Sequence, residues 1–187
     1  MVKGYYRRYR RYTKRVSRAA FNKIARRYLK YKVNVNYTIG WSGNSIQYDT
    51  NSSSLTMNDI LSRAGNEYTS LRGYFLNYKI TGILIRITPT ENTGVNGEMN
   101  RAGTAVMSLV QTGETLTYNT LAQSPNAIQL SSSVPVQKYM RLSSKWTASN
   151  ENCLPSLKIN IAQNNGAVTS IYFNCTFTLY LTFKDTA

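Results

Sequence analysis

Arginine and tyrosine are interleaved near the start of the chain, in the segment Tyr5-Tyr6-Arg7-Arg8-Tyr9-Arg10-Arg11-Tyr12. The planar guanidinium group of arginine pairs with phosphate oxygens through two parallel hydrogen bonds. A tyrosine ring can stack on an unpaired nucleic-acid base, and such stacking accepts any base. This pattern predicts binding of single-stranded nucleic acid without sequence preference. The candidates for base stacking are Tyr5, Tyr6, Tyr9 and Tyr12.

Positive charge is concentrated in the same part of the chain. Residues 1–32 hold 13 of the 23 lysines and arginines and no acidic residue, whereas residues 33–187 hold ten basic and all eight acidic residues, a net charge of +2. We therefore predict a basic arm, residues 1–32, followed by a nearly neutral globular domain, residues 33–187. The predicted nucleic-acid contacts of the arm are Arg7, Arg8, Arg10, Arg11, Lys14, Arg15, Arg18, Lys23, Arg26, Arg27, Lys30 and Lys32.

The arm divides into two parts by pattern. The first part cannot bury enough apolar surface to offset its ordering entropy, so we expect it to be disordered when free. Residues 13–32 carry apolar side chains at helical spacing, which predicts a basic amphipathic helix that forms against a partner. That helix could instead pack on its own domain or bind anionic lipid. The whole arm could also be a solvated charge run or only a targeting signal.

Side chains that most enzymes need are absent or poorly spaced. The chain has no histidine, no phosphate-binding Gly-Lys loop and no paired carboxylates, so we expect neither an enzyme, a metal site nor a cofactor. Cys153 and Cys175 have no metal-ligand spacing and are expected to be reduced cysteines of the core. No apolar run is long enough to span a membrane, and the basic N-terminus lacks the apolar stretch of a secretory signal.

From residue 33 onward the hydrophobic period is two. Val33, Val35, Tyr37, Ile39 and Trp41 alternate with polar residues, which predicts a half-buried strand. The strongest signal is a thirteen-residue alternation over 171–183, with apolar and sulfur side chains on one face and mostly threonine, asparagine and tyrosine on the other. Outside the arm there is no sustained helical period. The domain is predicted to be all-β, either a sandwich or a jelly roll.

Several shorter elements complete this prediction. The segment 74–89 is a strand whose buried parity changes at Gly82, where a β-bulge would restore one buried face. Residues 57–61 could form a helical turn capped by Thr56 or Asn58. The remaining predicted strands are 46–48, 104–110, 134–142 and 157–162.

The order of these segments resembles the capsid proteins of circoviruses and related circular single-stranded DNA viruses. The resemblance follows the Arg/Tyr-rich start, the Asn58-Asp59-Ile60-Leu61 turn, the aromatic strand at 74–80, the Gly82–Pro89 strand and the terminal Leu179–Phe183 segment. It implies a single eight-stranded jelly roll, sixty copies in a T=1 icosahedral shell, and an arm that binds the packaged DNA. It also implies import into the host nucleus, with the arm as the nuclear signal, and residence in the virion. No receptor site carries over.

The domain's polar faces are rich in threonine, serine and asparagine, and only 18 of its 155 residues are charged. This favours a domain that neighbouring copies bury on several sides, because juxtaposed charges would have to be desolvated.

Two other classes of protein stay open. A small RNA satellite virus coat shares the plan of arm and jelly roll. A cellular single-strand-binding β-protein should carry basic and aromatic residues on its sheet face, and the near-neutral domain argues against it.

Overall fold

The computed structural model describes residues 28–90, 104–111, 116–130, 134–142, 145–149, 157–164 and 167–186. Within them the chain forms ten strands and three short helices. The strands are β1 (Tyr28–Gly43), β2 (Ser45–Tyr48), β3 (Ser54–Thr56), β4 (Phe75–Pro89), β5 (Ala105–Gln111), β6 (Ile128–Leu130), β7 (Val136–Arg141), β8 (Thr147–Ala148), β9 (Leu157–Gln163) and β10 (Ala167–Thr186). The helices are α1 (Met57–Ser62), α2 (Asn66–Tyr74) and α3 (Tyr118–Ala122).

The strands form two antiparallel sheets that pack as a jelly-roll-like sandwich. The larger sheet has the order β2-β1-β10-β4-β7, with β8 also paired to β4, and the smaller has the order β3-β9-β5-β6. The first strand lies beside the last one, from Tyr28 opposite Lys184 to Trp41 opposite Ile171. Four strands of each sheet make up the predicted eight, and β2 and β8 are additions to the larger sheet. The prediction of an all-β jelly roll is confirmed.

The core lies between the sheets and follows the alternation read from the sequence. All seven side chains that the pattern of β10 assigned to the core are buried, as are the five that the pattern assigned to β1. Phe177 is at the centre, where the rings of Tyr37 and Tyr48 pack on it with centroid distances of 5.7 and 6.2 Å. The smaller sheet closes the core with side chains such as Met107 and Ile159. Removing a buried aromatic side chain of this kind costs about 3–5 kcal/mol.

The predicted change of parity in β4 is a β-bulge. Ile80 pairs with Leu181 and Gly82 pairs with Tyr180, so β4 has one residue more than β10 between these two pairs. The extra residue is Thr81, and its hydroxyl donates a hydrogen bond to the carbonyl oxygen of Tyr180 at 3.1 Å. Because of the bulge, side chains on both sides of it point into the core although their spacing changes from even to odd positions.

The helical turn at 57–61 is confirmed as α1, and Thr56 is its N-cap. The Thr56 hydroxyl accepts a hydrogen bond from the backbone N–H of Asp59 at 3.1 Å. The Asp59 carboxylate in turn accepts one from the backbone N–H of Thr56 at 2.7 Å. This reciprocal capping box satisfies two backbone donors that the start of a helix otherwise leaves unpaired.

The prediction of a helix over 13–32 is wrong for residues 28–32 and lies outside the described residues for 13–27. Residues 28–32 form the start of β1 and pair with residues 180–184 of β10. Residues 28–32 form a strand because β10 offers hydrogen-bond partners to their backbone along its full length. Their alternation of lysine with tyrosine or leucine is also compatible with a strand. Strand β1 thus begins five residues before the predicted domain boundary at 33, and the division itself stays a prediction.

Two further expectations fail at the end of β4 near α2. Tyr74 and Leu76 share the parity of the buried Tyr78, yet they are 62% and 51% exposed. Tyr74 is the last residue of α2, so the strand's alternation has not begun there. The helices α2 and α3 were not predicted. Each buries one side chain (Tyr68 and Leu121, respectively), which is too little for a recognisable apolar stripe.

Candidate functional site

The predicted nucleic-acid contacts divide between described and undescribed parts of the chain. Lys30 and Lys32 lie on β1. The other ten predicted cationic contacts, with Tyr5, Tyr6, Tyr9 and Tyr12, fall within residues 1–27 and so lie outside the described residues. The described part of the predicted site therefore consists of the first residues of β1, which continue directly from that segment.

Lys30 and Lys32 lie on the face of the larger sheet that points away from the core. Side chains two residues apart on a strand share a face, and antiparallel pairs place neighbours beside one another. The pairing therefore sets up three rows across β1, β10, β4 and their neighbours at the end where β1 begins. The rows are Tyr28–Lys184–Asn77–Ala148, Lys30–Thr182–Lys79 and Lys32–Tyr180–Gly82–Arg141.

Aromatic rings lie among these cations. The ring of Trp146, beside β8, stacks on the ring of Tyr28 with centroids 5.8 Å apart and planes 22° apart. The ammonium groups of Lys79 and Lys184 lie 4.7 and 4.8 Å from the centre of the Trp146 ring. Ammonium groups at this distance are attracted by the negative face of the ring. The lysines thus hold the tryptophan against the sheet surface.

A second aromatic pair joins the third row, which contains Tyr180, to the next row, where Tyr139 pairs with Leu84. The rings of Tyr139 and Tyr180 meet edge to face with centroids 5.6 Å apart, and the ammonium group of Lys32 lies 5.3 Å from the Tyr180 ring centre. Gly82 makes this arrangement possible, because a Cβ there would be 2.3 Å from the Tyr139 hydroxyl. We call the whole surface the basic–aromatic face. It consists of Tyr28, Lys30, Lys32, Lys79, Tyr139, Arg141, Trp146, Tyr180 and Lys184.

The charge of the basic–aromatic face is strongly positive. Its five cations are accompanied by one described carboxylate, that of Asp185, which is 3.3 Å from the Lys184 ammonium group and also accepts a hydrogen bond from Asn77. The other described acids, Asp49, Asp59 and Glu67, lie on different elements. Charge is therefore unevenly distributed over the described part of the domain. The near-neutral net charge argued against a basic and aromatic sheet face, but the larger sheet carries one.

Beyond the third row the same face changes character. The hydroxyls of Thr178 and Thr176 donate hydrogen bonds to the side-chain oxygens of Asn34 and Asn36 at 2.7 and 2.8 Å. Arg86 is the next cation, two rows away from Arg141. Most cations and rings of this face are thus grouped at the end where β1 begins, and neutral amides and hydroxyls cover most of the remainder.

The described part of the chain offers little for covalent chemistry. Cys175 is a free thiol in the core, and burial raises its pKa far above the ordinary value, which keeps it protonated. Cys153 lies outside the described residues. No group of three or more His, Cys, Asp or Glu among the described residues could hold a metal ion. In the same part of the chain no helix is long and apolar enough to cross a membrane.

The Arg63–Asp49 ion pair is structural. The Arg63 guanidinium group is 2.9 Å from the Asp49 carboxylate and 4.0 Å from the ring centre of Tyr37. The Tyr37 hydroxyl donates a hydrogen bond to the carbonyl oxygen of Asp59 at 2.8 Å. Burial raises the pKa of Tyr37 to about 12, partly opposed by the nearby guanidinium group. These contacts join α1 and the end of β2 to β1.

The sequence did not identify Lys79, Tyr139, Arg141, Trp146, Tyr180 and Lys184 as site residues. One signal was present, because Tyr180 and Lys184 occupy the polar parity of the terminal strand. The neighbours that join them to β1 and β4 depend on the pairing register, which no local pattern contains.

The sequence alone matches little that is known. No model of a known protein family matches it, and no curated protein sequence is significantly similar. The fold, in contrast, is shared with several viral shells. A BFDV capsid protein solved as a decamer superposes with a TM-score of 0.55 at 16% identity, over 85% of this chain and 100% of that one.

Two further structures extend this likeness. The BFDV capsid protein solved as a 60-mer gives a TM-score of 0.58 at 14% identity, over 86% of this chain and 95% of that one. The structure of Cocksfoot mottle virus gives a TM-score of 0.63 at 10% identity, over 86% of this chain and 96% of that one. The described domain therefore has the jelly-roll fold of viral capsid proteins.

Proposed function

We propose that this chain is a viral capsid protein that assembles into a small icosahedral shell around single-stranded DNA. The observation that carries the proposal is the position of the cations. A segment of 27 residues with eleven lysines and arginines leads directly into the first strand of a viral-type jelly roll. A basic segment of this density is suited to neutralising phosphates inside a closed particle.

Self-assembly is supported by the solved structures of similar fold. One is described as a 60-mer, and another, at 12% identity and a TM-score of 0.54, as a T=1 particle of a shrimp (Penaeus vannamei) nodavirus capsid protein deletion mutant. A T=1 shell of sixty copies is the corresponding proposal here. The low charge of the domain outside the basic–aromatic face agrees with it, because contacts between copies then bury few charges.

The arm is proposed to hold the genome and also to direct the protein into the host nucleus for assembly. A nuclear signal requires only a short lysine- and arginine-rich segment, which this arm exceeds. Because β1 begins at Tyr28, the separable part of the arm is residues 1–27 rather than 1–32. Lys30 and Lys32 then belong to the sheet surface.

An RNA-containing shell is the second candidate. The specific observation in its favour is that Cocksfoot mottle virus, among the RNA-virus shells of this fold, superposes with a higher TM-score than either BFDV structure. Arginine–phosphate pairing and tyrosine stacking do not read the sugar, so the two candidates have the same chemistry here. The Arg/Tyr-rich arm and the segment order favour DNA.

The deciding experiment combines particle size with nuclease typing. The purified full-length chain should sediment as a closed particle of about sixty copies, and electron microscopy should show an icosahedral shell. Nucleic acid extracted from particles made in cells that replicate the source genome should be degraded by DNase and by a single-strand-specific nuclease, and should resist RNase. A folded monomer in physiological salt would refute the shell. RNase-sensitive contents would establish the second candidate.

A deletion tests the arm separately. A chain that starts at residue 28 should keep its β-sheet circular dichroism spectrum but bind a single-stranded oligonucleotide far more weakly. Each phosphate contact on a single strand contributes about −0.7 to the slope of log affinity against log salt. If half of the eleven removed cations contact phosphate, the slope should flatten by about 4. An unchanged slope would show that residues 1–27 do not bind the nucleic-acid backbone.

A further inference from the structure

We infer that the basic–aromatic face is a second binding site for single-stranded nucleic acid, which holds unpaired nucleotides on the sheet itself. The inference rests on the proposed function and extends it, because it assigns genome contacts to folded residues outside the arm. The face combines five cations on three consecutive rows of the larger sheet with two pairs of aromatic rings, and Tyr139, which lies in the fourth row opposite Leu84, reaches back over Gly82.

The dimensions of the face suit a few nucleotides. Same-face residues of consecutive rows are about 7 Å apart along a strand, and neighbouring strands are about 4.8 Å apart, so three rows over four strands cover roughly 14 by 14 Å. The sheet surface is open to solvent there, since Tyr28 is 41% exposed and Tyr139 is 54% exposed. Bases could stack on these rings while the lysines pair with phosphates.

The contacts among the side chains prepare them for such a ligand. Lys79 and Lys184 hold the Trp146 ring, and Lys32 lies against the Tyr180 ring. These three ammonium groups each lie next to a ring, so that one nucleotide could meet a cation and a stacking surface together. Rings that are fixed before binding lose less conformational entropy when a base stacks on them.

Charge and continuity favour nucleic acid over other occupants. A second copy of the same face would bring five cations against five, and the chain's own arm would bring eleven more, so both are repelled. The segment 1–27 continues directly from Tyr28, which belongs to the face. A strand held by the arm would therefore be delivered to this surface. In a duplex the bases are paired and stacked on each other, so they could not stack on the rings of this face.

The first experiment locates the contacts in the full-length chain. Ultraviolet crosslinking to a single-stranded oligothymidylate, followed by digestion and mass spectrometry, should give crosslinked peptides that contain Tyr28, Trp146 or Tyr180, in addition to peptides from residues 1–27. Trp41, which is buried in the core, is an internal control and should not crosslink. A blunt duplex of the same length should give no crosslinks on the sheet.

The second experiment uses a matched pair of substitutions. Lys79→Gln removes one ammonium group from the basic–aromatic face, and Lys158→Gln removes one from β9, on the smaller sheet. The first should flatten the salt slope of oligothymidylate binding by about 0.7, and the triple variant Lys30→Gln, Lys32→Gln, Lys79→Gln by about 2. Lys158→Gln should leave the slope unchanged. Trp146→Leu should weaken binding by roughly 5- to 150-fold if it removes one stacked base.

The outcomes separate this inference from the proposed function. Crosslinks confined to residues 1–27, together with equal slopes for Lys79→Gln and Lys158→Gln, would overturn the sheet site and leave the arm and the shell in place. Equal crosslinking of the sheet by the duplex would overturn its preference for unpaired bases. A full-length chain that binds no oligonucleotide at any salt concentration would overturn both this inference and the packaging role.

Discussion

Deleting Thr81, the extra residue of the β4 bulge, should destabilise the domain far less than deleting Leu84, a regularly paired residue of the same strand. Without Thr81, Ile80 and Gly82 become consecutive and pair with the consecutive residues 181 and 180, so the ladder is regular and the buried parity is kept. Removing Leu84 instead reverses the parity on one side of the deletion, so that Ile85 and Ile87 turn to solvent and Arg86 turns toward the core.

The expected magnitude for the Leu84 deletion follows from burial. Ile85 and Ile87 are both buried, and exposing a large apolar side chain costs about 1.5–3 kcal/mol, hence about 3–6 kcal/mol for the two. Burying Arg86 would cost more, so the segment from Ile85 to Pro89 should instead separate from β10, with further loss of strand pairing. Domains of this size have total stabilities of about 5–15 kcal/mol, so the Leu84 deletion variant should be largely unfolded or close to it.

Equilibrium urea unfolding of the full-length chain, followed by tryptophan fluorescence and circular dichroism, provides the assay. Deletion of Thr81 is the matched control. It loses the hydroxyl that donates to the carbonyl oxygen of Tyr180, a loss of about 0.5–1.5 kcal/mol that Thr81→Ala measures separately. If deleting Thr81 destabilises the domain as much as deleting Leu84, the ladder cannot lose the bulge and the reasoning fails.

Three other predictions concern single side chains. Thr56→Ala should cost about 1 kcal/mol of unfolding free energy through loss of the α1 cap, whereas Thr69→Ala on the exposed side of α2 should cost almost nothing; equal effects in urea unfolding would contradict the capping role. In a Cys153→Ser background, the Cys175 thiol should be inert to a thiol reagent in the native protein and should react in urea, because its site is buried and its pKa raised; prompt native reaction would refute this. Burial raises the pKa of Tyr37 to about 12 from an ordinary 10, so its contribution to stability is complete below pH 10 and is lost as pH rises toward 12; Tyr37→Phe should therefore show a shallower loss of stability over that range, and superimposable pH profiles would disprove it.

Sequence patterns predicted this fold well wherever one strand alone carried the signal. The alternation of β10, the buried parity of β1, the bulge at Gly82 and the cap at Thr56 all depend on residues close together in the chain. Local patterns failed at the start of β1, where Leu29 and Tyr31 fit either a helix or a strand and β10 decides between them.

The candidate site shows the same difference between features that depend on local sequence and features that depend on strand pairing. The basic arm was visible from composition, because charge density needs no fold. The basic–aromatic face was not, since Trp146 meets Tyr28, Lys79 and Lys184 only through the register of four strands. Net charge was also a poor guide to it, because the sum includes acids on other elements, such as Asp49 and Asp59.

The pairing of the first strand with the last one has a consequence for synthesis of the protein. β10 lies between β1 and β4 in the larger sheet, so the edges of these two strands that face β10 stay unpaired until residues 167–186 have left the ribosome. Pairings between such distant segments form slowly, and an incomplete chain would expose the unpaired edges of β1 and β4. We expect interrupted chains to be removed or to aggregate, because they cannot build the sheet that a growing shell would have to incorporate. A particle built from this fold would therefore contain only subunits that include β10, because chains without this strand cannot complete the larger sheet.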